Sequence, residues 1–353
     1  MKICLLLTIL VSSCTTRWEE NKLKKSLEKP DEALPVVQVE APKPLLDKFE
    51  VEKIETAQPA TKDHNESKIV QAQPAISVKK VPKSQIKPAI PLTKDPPLSK
   101  LPKDYPENLI EINRKAEQVW KNYRPNHQVD QKTFMDIHYL GMTVGKIMVT
   151  NRGKKLINGK EVWHFHSRFK SAPFYSNIYE LDDTVDTYVT TDQFLSIRYS
   201  LVQRETKQDV DDLQLHDRDQ MKSFWFYKQK RPGETVKNKE KDSFIPYFSI
   251  DPFSVLFLYQ GLPLANGDVY EIPLINKAKI LILKSRVEGR EVIELENKKR
   301  VRAIRLHATT SYTGETLKSG DLTFWFSDDG KKNLLRAKAK IQLGSVTADI
   351  VDN

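Results

Sequence analysis

Cysteine is nearly absent: the 353 residues hold two, Cys4 and Cys14, both at the extreme N-terminus. Structural disulfides, cysteine-bound zinc and cysteine nucleophiles are therefore excluded from everything after position 14. Glycine is missing from the first 140 residues, and all 12 lie at or after Gly141. Between Asn21 and Asp104 the one aromatic is Phe49, while 13 of the 20 prolines fall between Pro30 and Pro106. On average that stretch cannot bury enough apolar surface to offset the entropy of ordering it. A single 353-residue globule is thereby excluded. No run of about 18 apolar residues occurs, which excludes a polytopic helical membrane protein. No Gly-x-Ser-x-Gly elbow, phosphate loop or dinucleotide fingerprint is present either.

What the N-terminus does carry is an export pattern. Lys2 precedes an apolar run over 3–11, then Ser12-Ser13-Cys14. One cation, a short apolar core and small residues before a cut site make a secretory signal peptide. Val11-Ser12-Ser13-Cys14 resembles the lipobox of bacterial lipoproteins, which are cut before a cysteine that carries acyl chains. The resemblance implies removal of 1–13, lipidation of Cys14 and a mature chain without a thiol. Several acyl chains anchor stably, because each buried CH₂ contributes about 0.8 kcal/mol. Thr15, rather than an aspartate, follows the cysteine. By resemblance to the sorting rule of such lipoproteins, this points to the outer membrane, facing the periplasm. The expected location is the bacterial cell envelope.

Residues 14–104 read as a disordered Pro/Lys/Glu-rich tether. From Arg17 to Asp104 there are 17 basic and 14 acidic side chains. Such a linker reaches between roughly 50 Å as a coil and roughly 280 Å fully extended. It serves as a spacer between bilayer and domain, or as an inert linker. Nucleic acid is not an expected partner, because the bases are interleaved with acids and an exported protein meets little of it.

From Tyr105 the composition changes, and four of the five tryptophans follow. Residues 105–353 are long enough for a substantial core. Leu109, Ile112, Ala116, Val119 and Trp120 recur at helical spacing, predicting an amphipathic helix over 106–121, ended by Pro125 at the latest. Thereafter the period is two. Strands are predicted at 133–140, 146–151, 163–170, 184–190, 195–203, 221–228, 279–287, 291–296, 303–310, 321–327 and 334–343. Asn158-Gly159 marks a tight hairpin; Glu288-Gly289, Ser319-Gly320 and Asp328-Asp329-Gly330 read as turns. The fold class is mainly β: an antiparallel curved sheet forming a sandwich or half-barrel. One helix interrupts it, with Asp251 as N-cap, Pro252 in first position and Gly261 at the end. Phe253, Val255, Leu256, Phe257, Leu258 and Tyr259 make it apolar on most sides, so it must be buried against the concave face.

Several segments together resemble an exported family, domain of unknown function DUF3108. These are Tyr139-Leu140-Gly141-Met142-Thr143-Val144-Gly145, the Asp251…Ser254…Tyr259 helix, Gly267-Asp268, Trp325-Phe326-Ser327-Asp328-Asp329 and Gly344-Ser345-Val346-Thr347-Ala348-Asp349. They span about 133–349. Pro252-Phe253 departs from the family's pattern after the aspartate. The resemblance implies a β-rich envelope domain and brings no catalytic residues.

Candidate site residues come from composition alone. His164 and His166 share one strand face, as a metal-chelating or ligand-binding pair would. Arg168 and Lys170 continue that face, so it also reads as a solvated face whose charge repels a metal. Asp182-Asp183 and Asp328-Asp329 suit acid–base chemistry, calcium binding or, more simply, turns. The acidic stretch Asp209, Asp211, Asp212, Asp217 and Asp219 reads as a solvated loop or edge strand. A triad from Ser254, Asp251 and a distant histidine is better explained as helix capping. Phe224-Trp225-Phe226-Tyr227 followed by Lys228-Gln229-Lys230-Arg231 is different. Trp225 and Tyr227 can stack on sugar rings or line an apolar cleft beside cations that suit an acidic polymer. Ordinary core aromatics beside a charged loop would look the same.

The sequence thus leads to a non-enzymatic lipoprotein with a binding or scaffolding β-domain. It needs no cofactor and no metal. The expected ligand-binding residues are Trp225, Tyr227, His164 and His166. The partner is an apolar ligand in the concavity, a cell-wall glycan or another envelope protein, with the membrane reached through the lipid anchor. The alternative is an envelope hydrolase with an acidic or histidine site.

Overall fold

The computed structural model describes residues 24–28, 36–54, 101–312, 315–341 and 343–351, leaving aside the side chains of 312–320. The signal segment 1–13, Cys14 and most of the tether lie outside the described residues. In chain order the elements begin with α1 (Lys43–Lys48), β1 (Val51–Lys53) and α2 (Glu107–Lys121). A first meander follows: β2 (Lys132–Tyr139), β3 (Met142–Ile157), β4 (Lys160–Ser171), α3 (Pro173–Ser176), β5 (Asp182–Thr190), β6 (Ser196–Glu205), β7 (Gln208–Asp217), β8 (Lys222–Lys230) and β9 (Lys237–Phe244). Helix α4 (Val255–Gly261) leads into a second: β10 (Val269–Ile275), β11 (Ile280–Glu294), β12 (Arg300–Tyr312), β13 (Glu315–Ser327), β14 (Leu334–Ile341) and β15 (Gly344–Val351).

Each meander pairs antiparallel with itself, and β15 pairs with β2 to join the two. The order is β10 to β15, then β2 to β9, with β1 added beside the far end of β3. Strands β9 and β10 are the two ends of this curved sheet. The chain between them closes the gap. The Ile245 amide donates to Met221 O at 2.9 Å, and Ile250 forms a parallel bridge with Leu274. Helix α2 seals the same opening, with Leu109 packed among Met221, Phe244 and Ile280. The predicted amphipathic helix is therefore present, and its apolar stripe is used here and against α4.

Helix α4 lies in the core. Leu258 and Tyr259 are fully buried among Ala116, Trp120, Phe165, Leu306 and Phe326. The helix starts at Val255, three residues after the expected first position. Asp251 still caps this end, because its Oδ1 accepts from the amides of Phe253 at 3.0 Å and Ser254 at 2.8 Å. At the other end α2 runs close to Gly261, whose carbonyl accepts from the Arg124 amide at 2.9 Å.

Several expectations are corrected. Strand β11 runs unbroken through Glu288-Gly289, where the register shifts as a β-bulge instead of turning. Ser319-Gly320 lies inside β13. The acidic stretch is β7, an inner strand between β6 and β8, with Asp211, Asp212 and Asp217 buried. Strand β9 escapes the period-two pattern because six of its eight residues are exposed on both faces. Strand β10 escapes it because Pro273 interrupts the sequence; an edge strand tolerates a residue without an N–H.

The largest correction concerns the tether. Residues 36–54 dock on the outside of the sheet. Val51–Lys53 pairs with β3, and Phe49 is buried among Tyr188, Ile197 and Leu213. Arg198 Nη1 donates to Phe49 O at 2.8 Å, and Lys48 pairs with Asp217 at 2.6 Å. Leu27 is buried against Phe134 and Met148. The physical cause is local. Val37, Val39, Leu45, Leu46, Phe49 and Val51 form a dense apolar group that an average over ninety polar residues hides.

A Cβ at Gly261 would lie 2.3 Å from the Tyr123 ring and 2.7 Å from Arg124 O. Gly261→Ala is expected to lower the unfolding free energy by about 1–3 kcal/mol. Gly330→Ala, with open space around it, should change it by less than about 0.5 kcal/mol. Chemical denaturation of the two variants checks the difference.

Candidate functional site

Cross-strand register decides which side chains share a face. Phe165, Thr187, Tyr199, Gln214, Trp225 and Lys241 stand opposite one another across β4 to β9. The next row on that face holds Val185, Leu201, Asp212, Tyr227 and Lys239, and the one after it Asp183, Gln203, Val210 and Gln229. This is the concave face. Helix α4 covers its Phe165 end, where the Phe165 and Phe257 rings stack at 3.8 Å. Trp225 and Tyr227 lie at the other end, half-buried, with ring centroids 5.6 Å apart.

A hairpin tip from the second meander reaches over these rings. Lys277 Nζ lies 5.7 Å from the Trp225 centroid, 5.0 Å from that of Tyr227 and 3.3 Å from Asp212 Oδ2. The Lys277 amide donates to Gln214 Oε1 at 2.8 Å. Lys277 and Ala278 both have positive φ, 54° and 49°, a left-handed turn that asparagine and glycine occupy more easily. The tip therefore sets a cation, at some backbone cost, over two aromatic faces. Lys239 on β9 adds a second cation, 5.9 Å from the Tyr227 ring. Acids flank the platform. Burial raises the Asp212 carboxyl, opposed by the charge of Lys277. Burial pushes Asp183 up to about 7, against a bond from Gln203 and with repulsion from Glu205. Gln203 Nε2 spans the two acids, 3.0 Å from Asp183 Oδ2 and 2.9 Å from Glu205 Oε1.

Beside α4 lies a cavity of about 60 Å³ lined by Met135, Val149, Phe165, Leu256 and Phe257, with His127 and Gln260 at its polar side. The His127 ring packs against Tyr123, Trp163, Phe165, Phe194 and Phe257. Burial lowers its pKa to about 4, opposed by a bond with Gln260. Burial also raises the Tyr123 hydroxyl. Tyr123 Oη and His127 Nε2 share a hydrogen bond at 2.7 Å.

The four expected binding residues do not converge. Trp225 and Tyr227 sit on the concave face. His164 and His166 sit on the opposite, outer face, in line with Tyr188, Arg198 and Phe224. They are not solvated, being 5% and 0% exposed. Both bond Asp186 Oδ1, at 2.7 and 2.8 Å. Burial would raise the Asp186 carboxyl, but these two bonds outweigh it and hold it well below the usual carboxylate range. His164 also stacks on Tyr188 at 4.4 Å, beneath the docked 36–54 segment. The trio is thus a buried hydrogen-bonded cluster beside the Tyr188 ring on which that segment packs. Among the described residues no three His, Cys, Asp or Glu side chains group to hold a metal. Asp182 and Asp183 open β5 and point to opposite faces, so they form no pair in a turn. Asp329 does serve its turn, accepting from the Lys331 and Lys332 amides at 2.9 and 3.0 Å. Ser254 is fully buried and donates to Asp251, a capping role with no nucleophile exposed. Lys277 was not legible from sequence; its position depends on a hairpin 50 residues away from the aromatics.

Asp186→Ala strands two buried imidazole donors and is expected to cost about 3 kcal/mol or more, measured by denaturation. For His127 the unfolded ring titrates near 6.5 and the folded one near 4. Between those values the unfolded chain takes a proton that the folded chain refuses, so stability falls as pH drops through the window, by about 3 kcal/mol from this ring. His127→Phe should flatten the slope of unfolding free energy against pH between about 6.5 and 4 by that amount.

No curated protein matches the chain. Among solved structures, a β-barrel-like protein of the domain of unknown function DUF1849 from Brucella abortus is similar at a TM-score of 0.39 and 10% identity, covering 63% of this chain and 95% of that one. A family model, described as protein of unknown function DUF3108, matches residues 135–351. That span runs from β2 to the end of β15, takes in both meanders with α4, and exceeds half of the chain. The chain belongs to the DUF3108 family.

Proposed function

We propose that the protein is a cell-envelope lipoprotein, exported by residues 1–13 and acylated on Cys14, whose β-domain binds an anionic cell-wall glycan on its concave face without transforming it. The observation that carries the binding reading is the Trp225–Tyr227 platform under Lys277. Aromatic faces stack on the apolar faces of sugar rings, and cations beside them favour carboxylated sugars. An apolar ligand held whole in the concavity fits less well. Helix α4 fills the apolar half, and the cavity left beside it is about 60 Å³, against roughly 300–1,000 Å³ for sites that enclose a drug-sized ligand.

One observation favours a second reading, that of an envelope hydrolase. Asp183 lies on the same concave face with its carboxyl pushed up to about 7, a value suited to a general acid or base near neutral pH. Incubation with cell-wall glycan separates the two, because a hydrolase releases soluble fragments and loses that activity in Asp183→Asn.

Two measurements test the leading reading. Mass spectrometry of envelope-purified protein should find acylated Cys14 as the first residue. Trp225→Ala and Tyr227→Ala should each weaken binding to peptidoglycan fragments by about 1.5 kcal/mol, roughly tenfold, with melting temperature unchanged. Retention of full affinity in both variants would remove the concave-face assignment.

A further inference from the structure

The outer face of β12 to β15 carries a feature that the glycan reading does not use. Arg305, Trp325 and Arg336 stand opposite one another across β12, β13 and β14. Trp325 is 8% exposed, and the Arg305 and Arg336 guanidinium carbons each lie 5.8 Å from its ring centroid. The adjoining row places Thr323 opposite Lys338 and Lys338 opposite Thr347; Lys340 stands opposite Ser345. Two clefts of about 570 and 560 Å³ share Trp325, Lys338, Gly344 and Ser345, so they form one shallow trough with an aromatic floor.

The charges of this trough are unevenly balanced. Glu288 pairs with Arg305 at 2.7 Å, Asp321 with His307 at 2.9 Å, and Asp349 with Arg336. Lys338 and Lys340 are exposed and have no acidic partner among the described side chains. They stand among hydroxyl residues, which donate hydrogen bonds to phosphate oxygens as well as lysines do.

The chain's route toward its N-terminus adds a second, independent observation. Leu27 packs on the outer face against Phe134, Met148 and Val351. Val351 lies two residues along β15 from Asp349, about 7 Å, and Arg336 is one strand further. Nine residues separate Cys14 from Lys24, and the ten Cα–Cα steps reach about 35 Å when fully extended. An acyl anchor on Cys14 therefore leaves this outer face within reach of the bilayer.

We infer that the β12–β15 outer face is the surface on which the domain rests against anionic phospholipid, with Lys338, Lys340 and Arg305 meeting the headgroup phosphates. The inference rests on the lipoprotein reading only in placing a membrane within reach.

The test uses the chain from residue 15 onward, which keeps every described element and has no acyl chain. It is mixed with phosphatidylcholine vesicles with or without phosphatidylglycerol and sedimented. Partitioning should appear only with the anionic lipid and weaken as salt is raised. Each cation at an anionic surface contributes about fivefold, so Lys338→Glu with Lys340→Glu should weaken partitioning about thirtyfold or more. Lys239→Glu with Lys241→Glu makes the same change of net charge on the concave side and should leave partitioning within about twofold of the parent. Both pairs are surface exchanges, and unchanged melting temperatures establish that they fold. Absence of preference for anionic vesicles, or equal losses in the two double variants, overturns the inference. Either result leaves the glycan reading standing, because that one is read from peptidoglycan binding of Trp225→Ala and Tyr227→Ala. Failure to find acyl chains on Cys14 would remove the anchor while leaving the vesicle result to speak for the surface.

Discussion

Closure of this β-body depends on how one short segment, residues 245–251, is held as it crosses from the first meander to the second. A sheet whose ends do not hydrogen-bond to each other needs another constraint to keep its curvature. Arg218 supplies it at one end. Its fully buried guanidinium donates to Ser196 O, Pro246 O, Tyr247 O, Ser249 O and Ser249 Oγ at 2.6–3.2 Å. Burial lowers its pKa only to about 10, so it remains charged and uses its donors on carbonyls that the crossing would otherwise leave unpaired. Asp251 supplies the other end. Its buried carboxylate accepts from Thr187, Ser196 and Ser254 hydroxyls at 2.5–2.6 Å and from two amides at the start of α4. A donor cage and an acceptor cage, with Ser196 contributing to both, fix the crossing and the helix to β5 and β6.

Everything else follows from the side of the sheet on which a residue falls. With α4 fixed inside, half of the concave face becomes core and half stays open, leaving Trp225 and Tyr227 half-buried beneath the Lys277 hairpin, with Asp212 and Asp183 buried beside them. The outer face is divided differently. One part is covered by residues 36–54, which pack on Tyr188 next to the His164–Asp186–His166 trio. Another part carries a row of alternating ion pairs, Arg336 with Asp349, Lys146 with Asp136 and Lys170 with Asp182. Beyond that row lies the cationic trough. Two surfaces of distinct chemistry on opposite faces of one sheet are compatible with a domain that touches a membrane with one side and a polymer with the other.

Much of the architecture was legible in the chain. Alternation at 133–140 and 163–170, the Asn158-Gly159 hairpin and the apolar helix before Gly261 each reflect a local preference that tertiary packing reinforces. What failed was local preference overruled by neighbours. Gly289 looks like a turn but is a bulge, because β12 pairs with β11 on both sides of it. The aspartates of β7 look like solvent, yet the strand is an inner one. Arg204 of β6 meets Asp211 at 3.0 Å, and Lys277 of the hairpin between β10 and β11 meets Asp212 at 3.3 Å.

The candidate residues show the same division. That Trp225 and Tyr227 share a face, and that His164 and His166 share one, was fixed by a spacing of two, a property of any strand. Whether those two faces were the same could not be read locally. It depends on registers across β4 to β8, set by the hydrogen-bond ladders of four strand pairs. Composition likewise set the mainly β class and the low apolar average of the N-terminal ninety residues. Only the folded sheet, by offering Phe49 and its neighbours an apolar surface, decided that part of that segment joins the domain. Burial is a property of two partners, and a sequence displays them one at a time.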